Sequence, residues 1–159
     1  FDSTSKIGFT NSGLTGEVVN VKEIVGSLPA GEEKTNCVMV DSTAQTIYPV
    51  FDISTVIADI EKLKDTDYVS IKVYSENTVY GIFSMATDIK GSNASTEKNE
   101  AGITTETGTS WREIKITIAK IKEHRSGNEN RTFIKLNNWR NDTSKPFYFY
   151  SWKLVIANA

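Results

Sequence analysis

The stretch "RTFIKLNNWR", residues 131–140, alternates between apolar and other side chains, as a β-strand with one buried face does. Ile134 and Leu136 fall on the face that we expect to be buried. The opposite face carries an aromatic, a cation, an amide and a tryptophan: Phe133, Lys135, Asn137 and Trp139. This pattern predicts a sheet with one face in a core and a second, mixed face whose contacts decide the function.

Other segments have the same period of two and are rich in β-branched and aromatic residues. They are "CVMV" (37–40), "TIYPVFDI" (46–53), "YVSIKVYS" (68–75), "TVYGIFSM" (78–85), "WREIKITI" (111–118) and "FYFYSWKLVI" (147–156). "EVVNVKEIV" (17–25) also alternates and would fit a helix as well, but we favour a strand. Pro49 lies inside a predicted strand, which favours an edge position or a bulge there.

One helix is predicted between the strands, because Ser54 can cap "TVIADIEKLK" (55–64). The polar segment 88–110 is too long for a hairpin turn, and loops of that length are more often functional or disordered than neutral. No internal repeat and no break in composition divides the chain. We therefore predict one all-β domain over residues 1–159, an antiparallel β-sandwich of jelly-roll type with one short accessory helix.

The composition is that of a soluble globular chain, with 159 residues of which 38% are hydrophobic and 24% charged. A net charge of −2 without a basic block lacks the electrostatic footprint of a nucleic-acid binder. No apolar run approaches the ~20 residues that cross a bilayer, so we expect no membrane insertion. The start, "FDSTSK", is interpreted as a mature chain or a module of a longer protein. Cys37, the single cysteine, is expected to be a small buried hydrophobe.

Three predicted strands carry mixed faces that suit carbohydrate. Sugar rings have apolar C–H faces that stack on aromatic side chains, and hydroxyl rims that bind amides, carboxylates and cations. Aromatics borne on strands are held rigidly and lose little entropy on binding. We predict stacking on Trp139 and Tyr74, extended by Phe133 or Trp111. The polar contacts are expected from Lys72, Lys135, Asn137, Glu113 and Arg140.

The same aromatics also have a structural interpretation. Cross-strand aromatic pairs stabilise sheets by ~0.2–1 kcal/mol without any ligand. For Trp111, at a strand start, packing is the favoured role, whereas Trp139 and Tyr74 are evenly balanced between packing and binding. Trp152 is expected in the core, because simple alternation places it on one face with Tyr148 and Tyr150.

Catalytic chemistry is not expected. His124, the only histidine, falls in a segment that we predict to be a polar loop (124–130), which we take to exclude a histidine-based triad and a multi-histidine metal site. The sequence has no nucleophile elbow, phosphate-binding loop, dinucleotide fingerprint or EF-hand loop. Carboxylates are numerous, but nothing in the sequence places two of them across a scissile bond. The chain is therefore predicted not to be an enzyme.

Four stretches occur in an order that carries a family resemblance. They are "GEEKTNCVMVDST" (31–43), "DTDYVSIKVYSE" (65–76), "GTSWREIKITIAKI" (108–121), and "FIKLNNW" followed by "FYFYSWKLV" (133–139 and 147–155). This order resembles the β-jelly-roll carbohydrate-binding modules of bacterial glycoside hydrolases, in the galactose-binding-like superfamily. The third stretch is the most similar, since these modules read Gly, a spacer, Trp and then an alternating strand that ends near a short helical turn.

The resemblance implies a noncatalytic binding module, and it raises the question of a structural calcium ion. Family members often hold calcium near the closing strand and the N-terminus, where Asp2 and Asp41 would be the oxygen ligands. This chain has Tyr150 and Ser151 where the family commonly has Asp-Asn, which argues against the ion. We therefore predict no cofactor.

The resulting prediction is a noncatalytic carbohydrate-binding module for a plant cell-wall polysaccharide such as a β-glucan, xyloglucan or mannan. We expect it to be secreted or extracellular and attached to a cell surface, beside neighbouring modules of the same polypeptide, for example those of a glycoside hydrolase. The alternative is a structural or protein-interaction module of a surface protein, adhesin-like or receptor-binding. That alternative predicts a mixed face covered by a neighbouring domain or by the segment 88–110.

Overall fold

The computed structural model describes residues 8–9, 17–40, 49–76, 79, 81–102, 110–136 and 145–157. The described strands are β1 (Gly8–Phe9), β2 (Glu17–Asn20), β3 (Asn36–Val40), β4 (Pro49–Asp52), β5 (Tyr68–Ser75), β6 (Ile82–Ala86), β7 (Lys98–Asn99), β8 (Arg112–Thr117), β9 (Phe133–Leu136) and β10 (Phe147–Val155). Two helices, α1 (Val21–Val25) and α2 (Ile118–Arg125), follow β2 and β8 directly. The predominance of strands confirms the predicted all-β class.

The strands form two antiparallel sheets of five strands each. The first sheet has the order β1-β4-β9-β6-β7, and the second has the order β2-β3-β10-β5-β8. Residues of both sheets share one core, so the molecule is a β-sandwich, as predicted. The finer jelly-roll assignment stays a prediction.

Alternation places the expected side chains in the core. The inward residues of the strands are Val38, Phe51, Val69, Ile71, Val73, Phe83, Met85, Ile114, Ile116, Ile134, Leu136, Phe147 and Phe149. Each is almost fully withdrawn from water, and burial of one such side chain contributes about 1.5–3 kcal/mol. The inward faces predicted for residues 68–75, 111–118 and 131–140 are confirmed by this set, with Ile118 buried at the start of α2 instead of in a strand.

The helices differ from the sequence-based prediction. Residues 55–64 do not form a helix of three turns, but contribute to two short 3₁₀ turns, Ile53–Thr55 and Ile60–Lys62. The first turn is capped by Asp52, whose carboxylate accepts from the Ser54 amide, so Ser54 itself is not the cap. The segment 17–25 is strand only to Asn20, whose side chain then caps α1. Pro49 opens β4, which lies between β1 and β9 instead of at an edge.

A bulge in β10 changes the phase of the last strand. The pairing of β10 with β5 shifts between Tyr150 and Trp152, where Ser151 adopts a left-handed backbone with φ of 53°. Because the extra residue reverses the alternation, Trp152 lies on the core face and its ring centroid is 5.3 Å from that of Phe51. Trp152 is therefore packed against the core as predicted, but on the opposite face from Tyr148 and Tyr150.

Asp67 connects three chain segments by hydrogen bonds at the end of the sandwich where β5 begins. Its buried carboxylate accepts hydrogen bonds from the backbone amides of Lys64 (2.8 Å) and Ala157 (2.9 Å). Its carbonyl accepts from the amide of Ile118, the first residue of α2. One side chain and its own backbone thus connect the loop before β5, the C-terminal segment and α2.

Candidate functional site

The predicted ligand-binding residues do not form one continuous platform. Phe133 and Lys135 lie on β9 in the first sheet, whereas Lys72, Tyr74 and Glu113 lie on β5 and β8 in the second. The outer faces of a sandwich point in opposite directions, so the two groups cannot contact the same sugar chain side by side. Alternation specifies which face a residue occupies but not which sheet its strand joins. Asn137, Trp139 and Arg140 lie outside the described residues.

The outer face around β9 is itself partly covered. Ser84 and Val50 are the register partners of Lys135, and Ala86 is the partner of Phe133. All three partners point outward, yet they are buried. Phe133 and Lys135 are half-buried beside them. This face therefore offers no flat, open surface at the positions that the structure describes.

The second sheet carries a group of four outward aromatic residues, which we call the aromatic cluster. Its members are Tyr74, Trp111, Tyr148 and Tyr150. Ring centroids are 5.4 Å apart for Tyr74 and Trp111, 6.2 Å for Tyr74 and Tyr148, and 5.9 Å for Trp111 and Tyr150. These spacings are those of packed aromatic pairs. Trp111 therefore has the packing role that the sequence favoured.

Part of the aromatic cluster lies under residues 21–35, which we call the covering segment. Val21 is fully buried against the cluster, and Val25 and Leu28 pack beside it. The Tyr150 hydroxyl donates to the Lys34 carbonyl at 2.8 Å, and the Val21 amide donates to the Thr35 carbonyl at 2.8 Å. The alternative hypothesis expected a neighbouring domain or the segment 88–110 to cover the mixed face, whereas α1 and the loop after it cover this part of it. In the sequence, only the helical alternative for 17–25 indicated such a segment.

The polar candidates of the second sheet largely satisfy one another. Glu113 contacts the Lys72 ammonium at 3.1 Å and the Lys115 ammonium at 3.4 Å, and it accepts from the Ser70 hydroxyl at 2.6 Å. Partial burial opposes its ionisation. The Ser70 and Lys72 hydrogen bonds and the lysine charges outweigh that effect and hold the pKa of Glu113 below its usual value. Lys72 and Glu113 therefore already use charged contacts within the sheet, which a ligand would have to replace.

An open groove runs beside Tyr74, between α1 and the end of the second sheet. We call it the Tyr74 groove, a cavity of about 260 Å³ lined by Ile24, Val25, Tyr74, Glu76, Lys145, Pro146 and Tyr148. Glu76 and Lys145 pair across it at 3.8 Å, and both side chains are more than half exposed. Of these residues, the sequence had identified only Tyr74. The register that sets Tyr148 opposite Tyr74 is what the sequence did not provide.

His124 is not in a loop, and it is not isolated. It lies in the last turn of α2, 5% exposed, with its ring centroid 4.5 Å from that of Phe83. Its Nδ1 hydrogen-bonds the Ser95 hydroxyl, and its Nε2 is 3.7 Å from the Glu100 carboxylate. The sequence argument against a histidine-centred group was therefore wrong about the position of His124, because strand 111–118 continues directly into a helix.

The surroundings keep the imidazole of His124 neutral near pH 7. Burial lowers the pKa of His124 and Lys98 lowers it further, against the opposing charge of Glu100. Ser95 is bound to strand β6 at two points. Its amide donates to the Met85 carbonyl and its hydroxyl accepts from the Met85 amide, each at 2.9 Å. The group thus joins the loop after β6 to α2.

Within the described residues, no group of three or more His, Cys, Asp or Glu side chains could hold a metal ion. Asp2 and Asp41, the expected calcium ligands, lie outside those residues. No helix in the described part of the chain is long and apolar enough to span a bilayer. In comparisons with known proteins, no family model matches the chain, and neither a curated protein nor a solved structure shows significant similarity to it.

Proposed function

We propose that the protein is a noncatalytic carbohydrate-binding module that binds a plant cell-wall polysaccharide in the Tyr74 groove. The groove itself is the observation that carries this proposal, because it joins aromatic faces to polar groups in one open concavity. A β-glucan, xyloglucan or mannan is the proposed ligand. The proposed setting is extracellular, attached to a cell surface beside other modules such as a glycoside hydrolase.

The aromatic walls of the groove suit the apolar face of a sugar ring. Tyr74 is half-buried, and its ring packs against both Trp111 and Tyr148. Because these neighbours already fix the Tyr74 ring, binding costs little side-chain entropy. A volume of about 260 Å³ lies just below the ~300–1,000 Å³ of pockets that enclose a drug-sized ligand, so it suits one sugar unit of a longer chain.

The polar rim of the groove supplies both kinds of hydrogen-bonding partner. The Glu76 carboxylate can accept from sugar hydroxyls, and the Lys145 ammonium can donate to them. An exposed ion pair of this kind contributes only about 0–1 kcal/mol by itself, so exchanging part of it for ligand contacts costs little. Opposite charges at one rim also favour a neutral glycan over an acidic one.

Affinity electrophoresis in native gels that contain soluble polysaccharides tests the proposal directly. We expect retardation by at least one of β-glucan, xyloglucan and mannan, and loss of that retardation in Tyr74→Ala. Tyr68→Ala is the matched control, since Tyr68 is also a half-buried, outward tyrosine of β5 but lies at the other end of the strand. Equal retardation of the wild type and both variants would place the binding surface elsewhere.

A second function, a protein-interaction or structural module, is favoured by one feature of the same groove. Ile24 on α1 lines the groove and leaves 54% of its surface exposed, which is unusual for a large aliphatic residue at a sugar site. This function predicts no retardation by any polysaccharide. It also predicts that Ile24→Ser weakens binding to a protein partner.

The noncatalytic part of the proposal has its own test. Ser95 and His124 form a hydroxyl–imidazole pair of the kind that serine hydrolases use, but Glu100 stands 3.7 Å from the imidazole, outside hydrogen-bond distance. Because Ser95 is also bound to Met85 at two points, we assign the pair to loop attachment. A fluorophosphonate probe should therefore leave the protein unlabelled. Labelling that Ser95→Ala abolishes would make the protein an enzyme.

A further inference from the structure

A second cavity lies on the side of the molecule where α2 meets the loop after β6. It measures about 290 Å³ and is lined by Ala94, Ser95, Thr96, Lys98, Glu123, His124 and Arg131. We call it the His124 cavity. Its residues come from the loop after β6, from β7, from α2 and from the segment before β9, so the folded sandwich is needed to assemble it.

The charges around the His124 cavity are not balanced. Lys120 contacts both Glu100 (3.7 Å) and Glu123 (3.4 Å), so the two carboxylates share one ammonium. Lys98 and Arg131 have no carboxylate partner among the residues that the structure describes. Of the residues that line the cavity, Lys98 and Arg131 are cationic and only Glu123 is anionic, in a chain whose net charge is −2. An excess of positive charge at one concave place attracts an anion.

Arg131 is held in position for such a contact. Its Nε donates to the Asn93 carbonyl at 2.8 Å, and its Nη1 donates to the His124 carbonyl at 3.0 Å. A guanidinium has five N–H donors, so most of them remain available after these two bonds. Since the side chain is already fixed, a carboxylate can pair with it at a small cost in side-chain entropy.

We propose that the His124 cavity binds a compact carboxylate-bearing ligand through Lys98 and Arg131, at a site separate from the Tyr74 groove. Thr96 lines the same cavity, and a threonine hydroxyl can donate a further hydrogen bond. The volume limits the ligand to one small unit, such as a sugar acid or a short-chain carboxylate.

His124 reports on the occupancy of this cavity. An anion beside the ring stabilises the imidazolium form, so bound ligand raises the pKa of His124. By linkage, the ligand binds more tightly as the pH falls through that pKa. The charged groups that face the cavity and the ring are Lys98, Arg131, Glu100 and Glu123. Because His124 is the only histidine of the chain, its ring signals need no assignment.

The test is an NMR pH titration of the His124 ring with sodium glucuronate. Glucose and sodium chloride, each matched in concentration or ionic strength, are the controls for ring size and for screening. We expect glucuronate alone to raise the pKa of His124. Lys98→Met should weaken glucuronate binding about two- to fivefold, as expected for one exposed charge pair. Lys62→Met, which removes an exposed lysine that does not line the cavity, should leave the affinity unchanged.

Two outcomes would overturn the proposal. One is a pKa of His124 that is the same in glucuronate and in sodium chloride. The other is an equal loss of affinity in Lys98→Met and Lys62→Met, which would show general screening instead of a site. A titration with acetate then separates the two sources of the carboxylate. A shift as large as that of glucuronate identifies a free short-chain acid, and a smaller shift identifies a sugar acid.

Discussion

The two faces of β10 carry aromatics of similar size but stabilise different parts of the molecule. Phe147 and Phe149 point inward and pack between the two sheets, fully buried. Tyr148 and Tyr150 point outward and pack under the covering segment. The inward pair contacts residues from distant parts of the chain, whereas the outward pair is covered mainly by residues 21–35. We therefore expect the inner face to determine global stability, and the outer face to be able to open with one local segment.

This difference also locates the proposed glycan site. A binding surface must be open or able to open, and only the outer face of the second sheet combines aromatic rings with an accessible groove among the described residues. The inner aromatics are too deeply buried for any ligand to reach them without unfolding. Ring content alone therefore does not identify a sugar site, because the decisive property is what lies over the ring.

Truncation of an inner ring should have the largest effect. Phe149→Ala removes a fully buried ring that packs 5.8 Å from Phe51, centroid to centroid, and leaves a cavity in the core. We expect the free energy of unfolding to fall by about 3–5 kcal/mol. Urea denaturation followed by circular dichroism measures this loss.

The outer neighbour provides the contrast to Phe149→Ala. Tyr150→Phe keeps the ring and removes only the hydroxyl that donates to the Lys34 carbonyl. Its expected cost is about 1 kcal/mol, the net value of one hydrogen bond. Equal losses in the two variants would mean that the covering segment belongs to the cooperative core, and the distinction between the faces would then be wrong.

The two faces should lose stability in different pH ranges, because His124 contacts the inner face and Glu113 lies on the outer face. His124 contacts the inward ring of Phe83, and burial lowers its pKa below the usual 6.5. The unfolded chain therefore binds a proton at His124 more readily than the folded chain does. The contribution of neutral His124 to the free energy of unfolding should be fully present above pH 6.5. It should be lost as the pH drops through the pKa that His124 has in the folded chain. Unfolding free energies measured between pH 8 and pH 5 show this decline.

Glu113 on the outer face should affect the free energy of unfolding at a lower pH than His124 does. Its pKa is held below the usual 4.5, so its contribution is present above pH 4.5 and is lost as the pH falls further. His124→Gln should abolish the decline between pH 6.5 and pH 5 and keep the later one, whereas Glu113→Gln should do the reverse. A decline near pH 6 that survives in His124→Gln would contradict the assignment, since the chain has no other histidine.

The sequence predicted the faces of the strands better than their arrangement. Alternation correctly assigned Ile71, Ile114 and Ile134 to the core, because a period of two follows directly from strand geometry. It could not assign β9 to a different sheet from β5 and β8, since sheet membership depends on contacts between distant residues. The extension of the platform from Tyr74 to Phe133 failed for this reason, whereas the alternative extension to Trp111 joins two rings that pack against each other.

Local backbone features account for the other differences. The bulge at Ser151 reverses the phase of β10, and a non-glycine residue with φ of 53° has no clear signal in the sequence. The covering segment was hidden because 17–20 and 21–25 share one alternating pattern although they adopt different structures. His124 was misplaced because "IAKIKEHR" continues a strand without an obvious break. In each case a tertiary contact decided between two local structures of similar propensity.

Cys37 offers the most sensitive test of local opening, although it involves no loss of stability. It lies on β3 in one buried cluster with Val21 of the covering segment, and burial raises the pKa of its thiol to about 12. We therefore expect the native protein to react very slowly with a disulfide reagent at pH 8. The reaction should proceed through lifting of residues 21–35, so its rate at low urea should hardly depend on urea and should increase in Tyr150→Phe.

A rate that rises with urea as steeply as global unfolding does would show that the covering segment opens only when the whole sandwich unfolds. The Tyr74 groove, of which Ile24 and Val25 form one wall, would then be a rigid site instead of an adjustable one.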